Sequence, residues 1–169
     1  MTIQRMGLDF IRQINPSSSK GHRFVLVVYF TKWTEMVPLK NMTHREVIEF
    51  IAEHIIHRFS IPQTLTTNQS SSFISKEVRD FAESYKIKIL NSSPYYAQAN
   101  GQAESSNKIL IKLIKKKIEE NPRRWHEVLS EALWAHRISR HGATKVTSFE
   151  LVYGREAVLP VEVNLDAYR

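Results

Sequence analysis

The sequence contains no cysteine. That excludes disulfides, thiol nucleophiles, thiolate zinc sites and zinc knuckles in one step, and it fits a reducing compartment. Glycine and proline are scarce, at 5 and 6 of 169 residues, which excludes collagen-like and low-complexity classes. No apolar run approaches the length of a membrane span, and Met1 to Phe10 lacks the apolar core of a signal peptide. No internal repeat is present. What remains is ordinary for a globular domain, with 42% hydrophobic and 24% charged residues. A chain of this length buries about 70% of its unfolded surface and needs no covalent staple.

Acidic residues are in deficit. Lys and Arg number 24 against 17 Asp and Glu, for a net charge of +7. A pI near 9.7 is the electrostatic footprint of a nucleic-acid binder, although a solvated basic surface gives the same number. The excess is localised. Asn100 to Lys145 holds ten basic and five acidic residues, so this stretch carries +5 of the +7.

The first half reads as strands. Met6 to Ile11 is a short apolar run ended by the turn-rich Asn15 to Gly21. Phe24 to Phe30 is continuous and Val-rich, as a buried central strand should be. Thr34 to Leu39 completes an antiparallel meander. Thr43-His-Arg-Glu46 is a capping box, and Val47, Ile48, Ile51, Ile55 and Phe59 follow at helical spacing until Pro62. Leu65 to Thr67 is a short strand. Ser75 caps a second helix through Tyr85, and Lys86 to Leu90 alternates as a strand. A loop from Asn91 to Asn100 leads into one long amphipathic helix, Gly101 to Glu120. Pro122 is expected to open the next helix, which runs to about Arg140 with Gly142 as C-cap. Val152 to Arg169 reads as an extended tail. The order βββαβαβαα implies helices layered on a mixed sheet.

Three positions stand out chemically. Asp9 lies inside the first strand between Leu8 and Phe10. Asn68 directly follows the strand Leu65-Thr-Thr. Glu104 opens the long helix, and residues 69 to 103, 35 in all, separate it from Asn68. At 100° per residue, Glu104, Lys108, Lys112 and Lys115 fall within about 80° of one another. Ile109, Leu110, Leu113 and Ile114 are expected opposite, as core. The lysine face is either a solvated surface with i,i+4 pairs or a phosphate-contacting one. His54 and His57 have no metal-ligand partner pattern. Trp33, Trp125 and Trp134 fit packing better than base stacking. Asp80 and Glu83 lie on the second helix.

The motifs Gly7-Leu-Asp-Phe-Ile11, Phe30-Thr-Lys-Trp33, Pro38-Leu39, Thr66-Thr-Asn-Gln69, Tyr96 to Glu104, Asn107-Lys108 and Ser148 to Gly154 together resemble the integrase catalytic core of gypsy-type LTR retrotransposons and, more distantly, of retroviruses. The resemblance runs from Met6 to about Pro160. It implies a ribonuclease H-like α/β fold, a five-stranded mixed sheet flanked by helices. Residues 1–154 would form the core-like domain and 155–169 an extended C-terminal tail. It also implies DNA processing and strand transfer with Mg²⁺ or Mn²⁺, held by Asp, Asp and Glu. Hard dications want oxygen ligands, and a metal pair activates the attacking oxygen while stabilising the leaving one.

Carried over by position, Asp9 matches the first Asp and Glu104 the Glu, so these two are the expected metal ligands. Asn68 occupies the place of the second Asp. An amide keeps one carbonyl acceptor but removes a full charge and offers an NH₂ to a dication. Ser70 stands where the family usually has Gly. The second strand is two residues short, with Val28 meeting Tyr29 directly. Asn107, Lys108, Lys112 and Lys115 are the expected nucleic-acid contacts, Lys108 at a family position that touches DNA. The expectation is therefore a nucleic-acid-binding core that is catalytically disabled, located in the nucleus, with DNA and a second copy of itself as partners. No membrane and no small-molecule substrate is expected. The alternatives are an active or weakly active metal-dependent strand transferase or nuclease, and a non-catalytic protein-interaction module. With no Cys, the His/Cys zinc module that usually precedes this core is not expected, and the resemblance implies an isolated core or a piece of a larger polyprotein.

Overall fold

The computed structural model describes residues 5–11, 14–30, 33–67, 71–91, 101–140 and 145–159, with the backbone alone for 91 and 101–107. Three antiparallel strands come first: β1 (Arg5–Ile11), β2 (Phe24–Phe30) and β3 (Trp33–Leu39). Then follow helix α1 (His44–Phe50), a π-helical turn (Ile51–Ile56), β4 (Thr64–Thr67), α2 (Lys76–Ser84) and β5 (Lys88–Asn91). Helices α3 (Gly101–Glu120), α4 (Trp125–Ile138) and α5 (Ser148–Tyr153) complete the order. The sheet runs β3-β2-β1-β4-β5, with β4 parallel to both β1 and β5. This is the expected five-stranded mixed sheet.

Strand alternation sorts the core into two layers. Met6, Leu8 and Phe10 of β1 join Leu26, Val28 and Phe30 of β2 beneath α1, the π turn and α2. Ile11 of β1 and Val25 and Val27 of β2 face the other way, beneath α3 and α4. The central strand β2 is apolar on both faces because both are covered, which explains its unbroken Val-rich run. Leu110, Ile114 and Ile118 seat α3 on the sheet. Each buried side chain of this kind stabilises by about 1.5–3 kcal/mol.

Several expectations are corrected. Ile109 is 68% exposed and Leu113 38%, so the core stripe of α3 is Leu110, Ile114 and Ile118 rather than all four apolar residues. Helix α4 begins at Trp125, with residues 121–124 a turn, so Pro122 precedes the helix instead of opening it. The segment read as an extended tail begins with the last residues of α5, which is closed at its start by Thr147 and Glu150 and at its end by Gly154 at φ 69°. The N–H of Thr147 donates to Glu150 Oε2 (2.6 Å), and the N–H of Glu150 donates to Thr147 Oγ1 (3.1 Å). Thr147-Ser-Phe-Glu150 is a capping-box pattern, so the signal was present in the sequence. The helix after Thr43 widens into a π turn, where Phe50, Ile51 and Ile55 are all buried. Gly142 lies outside the described residues. Among the described residues no helix is long and apolar enough to cross a membrane.

Candidate active site and nucleic-acid face

Asp9 sits on β1 opposite Val27, on the sheet face covered by α3 and α4. It is half-buried, and its Oδ1 accepts the N–H of Phe10 at 2.8 Å. The parallel register of β1 against β4 ends at the pair Leu8 and Thr67. The chain positions that follow on the two strands are Asp9 and Asn68. Asn68 itself lies outside the described residues. Glu104 falls in the first turn of α3, and its side chain, like that of Asn107, also lies outside them. Of the expected triad, then, one side chain is described. Carboxylate and amide-carbonyl oxygens are donors of the type that suits a hard dication. Among the described residues no group of three or more His, Cys, Asp or Glu is arranged to hold a metal ion.

Lys108, Lys112 and Lys115 are exposed along α3, turned away from the buried Leu110 and Ile114. Lys116 and Lys117 pair with Glu120 at 4.0 and 3.3 Å, so their charge is partly compensated. Trp33 and Trp125 are core residues at 2% and 1% exposure, and Trp134 packs edge-on against Phe149 of α5. His54 stacks on Phe50.

Two polar clusters escaped the sequence reading. Glu35 of β3 is buried, and Trp33 Nε1–H donates to its Oε1 at 2.7 Å. Arg58 reaches Oε1 at 3.3 Å and Arg137 of α4 reaches Oε2 at 3.0 Å. Arg137 also donates to the carbonyl of Thr34 (2.7 Å) and lies over the Trp33 ring. Burial draws the Arg137 guanidinium below its usual value, and Glu35 opposes the shift. At the far end of β1, His22 and His126 lie with ring centroids 5.5 Å apart beside Trp125. Both ring nitrogens of His126 and Nε1 of Trp125 are buried, with no hydrogen-bond partner among the described residues. Burial first, then His126, Lys40 and Lys20, lowers the pKa of His22. The one sequence signal for the first cluster is a charge inside a strand between Trp33 and Val37.

The fold is that of integrase catalytic cores, a ribonuclease H-like architecture. The chain superposes on a chain of the simian T-cell lymphotropic virus intasome with a TM-score of 0.72 at 20% identity, covering 95% of this chain and 59% of that one. For the catalytic core domain of BIV integrase the TM-score is 0.69 at 17% identity, covering 98% and 99%. For the HTLV-2 integrase catalytic core domain, solved in complex with magnesium in a trimeric form, it is 0.67 at 19% identity, covering 90% and 98%. Residues 3–97 match the integrase core domain family, and the chain belongs to it. In sequence it is 28% identical over 162 residues to the Tf2-3 and Tf2-4 transposon polyproteins of Schizosaccharomyces pombe. The match covers 95% of this chain but 12% of each polyprotein.

Proposed function

We propose that this chain is a DNA-binding integrase core of the gypsy-type retrotransposon class, acting on DNA in the nucleus and self-associating, in which Asn68 disables integration chemistry. The observation that supports the reading is the β1–β4 register, whose last pair, Leu8 and Thr67, directly precedes Asp9 and position 68 in the chain. A family site at this edge would take Mg²⁺ or Mn²⁺ on Asp9 and Glu104, and the bound metal would activate the attacking oxygen and stabilise the leaving one. Asp9 is fixed by its strand and by the Phe10 amide. Glu104 arrives on α3. Asn68 contributes a carbonyl dipole where a third charge is needed. Losing one charge-assisted contact to a desolvated ion costs several kcal/mol. At 1.36 kcal/mol per tenfold, that is about a thousandfold or more in rate.

The test is metal-dependent nicking and strand transfer on a labelled duplex, with Mg²⁺ and then Mn²⁺. The expected result is no product from the unmodified chain. Asn68→Asp is expected to tighten metal binding without full recovery, because Ser70 and the short second strand also depart from the family pattern. Robust nicking by the unmodified chain, abolished by Glu104→Gln, would overturn the disabled-core reading.

A further inference from the structure

Two histidines from distant parts of the chain meet outside the Asp9 site. His22 lies in the loop before β2, and His126 is the second residue of α4. Their ring centroids are 5.5 Å apart, with the ring planes at 46°. The loop is locally fixed. Gly21 holds φ 82°, its N–H donates to the Ser18 carbonyl (2.8 Å), and the Ser18 N–H donates to the His22 carbonyl (3.0 Å). The Ser19 N–H donates to the carbonyl of Arg123 (2.7 Å), which ties this turn to the residues just before α4. The backbone thus holds the two rings opposite each other.

The ring nitrogens are the unusual feature. Nδ1 of His22 lies 3.1 Å from Oγ of the buried Ser18, which leaves Nε2 as its unengaged nitrogen. The His126 side chain is 5% exposed, and its nitrogens are the unpartnered ones noted above. Its Nε2 is 3.8 Å from Glu127 Oε1, beyond hydrogen-bond reach. A buried imidazole with no partner bears an uncompensated desolvation cost, and a bound ion is one remedy. A phosphate would need open surface at these nitrogens, and they are closed to solvent. A metal ion needs only a gap between the rings. Tetrahedral Zn²⁺, with Zn–N bonds of about 2.0–2.1 Å, sets two imidazole centroids about 5.2 Å apart. The observed spacing is within a few tenths of an ångström of that.

We propose that His22 and His126 form a two-histidine site for a transition-metal dication of the zinc class, which clips the loop before β2 to the start of α4. Imidazole nitrogen selects such ions over Mg²⁺ and Ca²⁺. Ser18 on His22 and Glu127 beside His126 are the outer partners that orient ligating histidines. His22 is only partly buried, so solvent oxygens complete the coordination from its side. Trp125 Nε1 can only donate and takes no part. Lys20 and Lys40 also act on His22 and oppose a cation, which keeps the affinity modest. The inference does not rest on the reading of the Asp9 site.

The experiment is Zn²⁺ titration of the full chain by calorimetry and by melting temperature, each variant being read against itself in chelator. At Zn²⁺ a hundredfold above its Kd, the melting temperature is expected to rise by roughly 5 °C or more. His22→Gln and His126→Gln are each expected to weaken binding at least tenfold. The partly exposed His22 carries the test if the buried His126 variant does not fold. His54→Gln with His57→Gln, the histidine pair closest in sequence, is expected to leave binding unchanged. A large excess of Mg²⁺ should not compete, which separates this site from an oxygen-ligand site at Asp9. Absence of Zn²⁺ binding would overturn the inference, as would binding that His22→Gln leaves unchanged or that follows His54 and His57 instead.

Discussion

A Cβ built on Gly7 would lie 2.2 Å from Cζ of Tyr29, its cross-strand partner. Gly7 and Asp9 share one face of β1, so the Tyr29 ring crosses the strand two residues before the candidate metal ligand. Tyr29 is the residue opposite Gly7, and the absence of a side chain at position 7 leaves the room its ring occupies. The constraint is space, not backbone conformation.

Gly7→Ala is therefore expected to destabilise the domain by about 1–3 kcal/mol, the usual range for overpacking. The clash is with the far end of a ring that can swing aside, which favours the lower half of that range. Tyr29→Ala in the same chain should remove most of the penalty. Urea denaturation of both single variants and the double variant measures it, and additive losses would show that the ring is not what forbids a side chain at position 7.

How far the sequence was legible depended on distance along the chain. Phe24–Phe30, the Ser75 cap and the long helix Gly101–Glu120 were readable because local pattern determines each. The Ser75 hydroxyl accepts the Val78 N–H as that pattern requires. The strand position of Asp9 was legible from its motif, and Asp9 lies in β1 on the face that α3 covers. The Glu35 cluster was not legible, because Arg137 and Thr34 are 103 residues apart and no local signal links them. Ile109 and Leu113 were misassigned because apolar identity does not fix a helix's rotation on its sheet. The packing of Leu110 and Ile114 against Val25 and Val27 does.

Breaking the Glu35 cluster should show a graded cost. The Glu35 side chain is 7% exposed, Arg137 15% and Arg58 44%. Glu35→Ala would leave the buried Arg137 cation unpaired, which costs about 3–5 kcal/mol. Arg58→Ala removes a half-exposed partner and should cost under about 1 kcal/mol. Chemical denaturation with Trp33 fluorescence reads both, and equal losses would refute this division of labour.

Stability should fall in mild acid. The pKa of His22 is lowered in the folded state from its ordinary value of 6.5, first by burial and then by His126 and the two lysines. Below 6.5 the unfolded chain therefore binds more protons than the folded one. Stability from this source is complete above pH 6.5 and is lost as pH falls through 6.5 toward the lower folded value. His22→Gln, which keeps a polar partner for Ser18, should flatten the melting temperature between pH 7 and pH 5. An unchanged slope in that variant would assign the acid sensitivity elsewhere.

The charge pattern on α3 separates phosphate contacts from ordinary surface charge. Lys108, Lys112 and Lys115 are exposed, and no ion pair is seen for them among the described residues. Lys117 is held by Glu120. Each lysine that neutralises a DNA phosphate releases condensed counterions and contributes about 0.9 to the slope of log affinity against log salt. Lys108→Gln with Lys112→Gln should therefore make that slope shallower by about 2, whatever the duplex sequence, because phosphate contacts carry no base information. Lys117→Gln should change it by much less. Since Lys108 and Lys112 are exposed on the side of α3 away from Leu110 and Ile114, the melting temperature of the double variant should stay nearly constant. Fluorescence anisotropy with a labelled duplex at several salt concentrations makes the measurement. If the slope does not change in the double variant, or Lys117→Gln shifts it equally, the lysine face of α3 is solvated surface and DNA is held elsewhere.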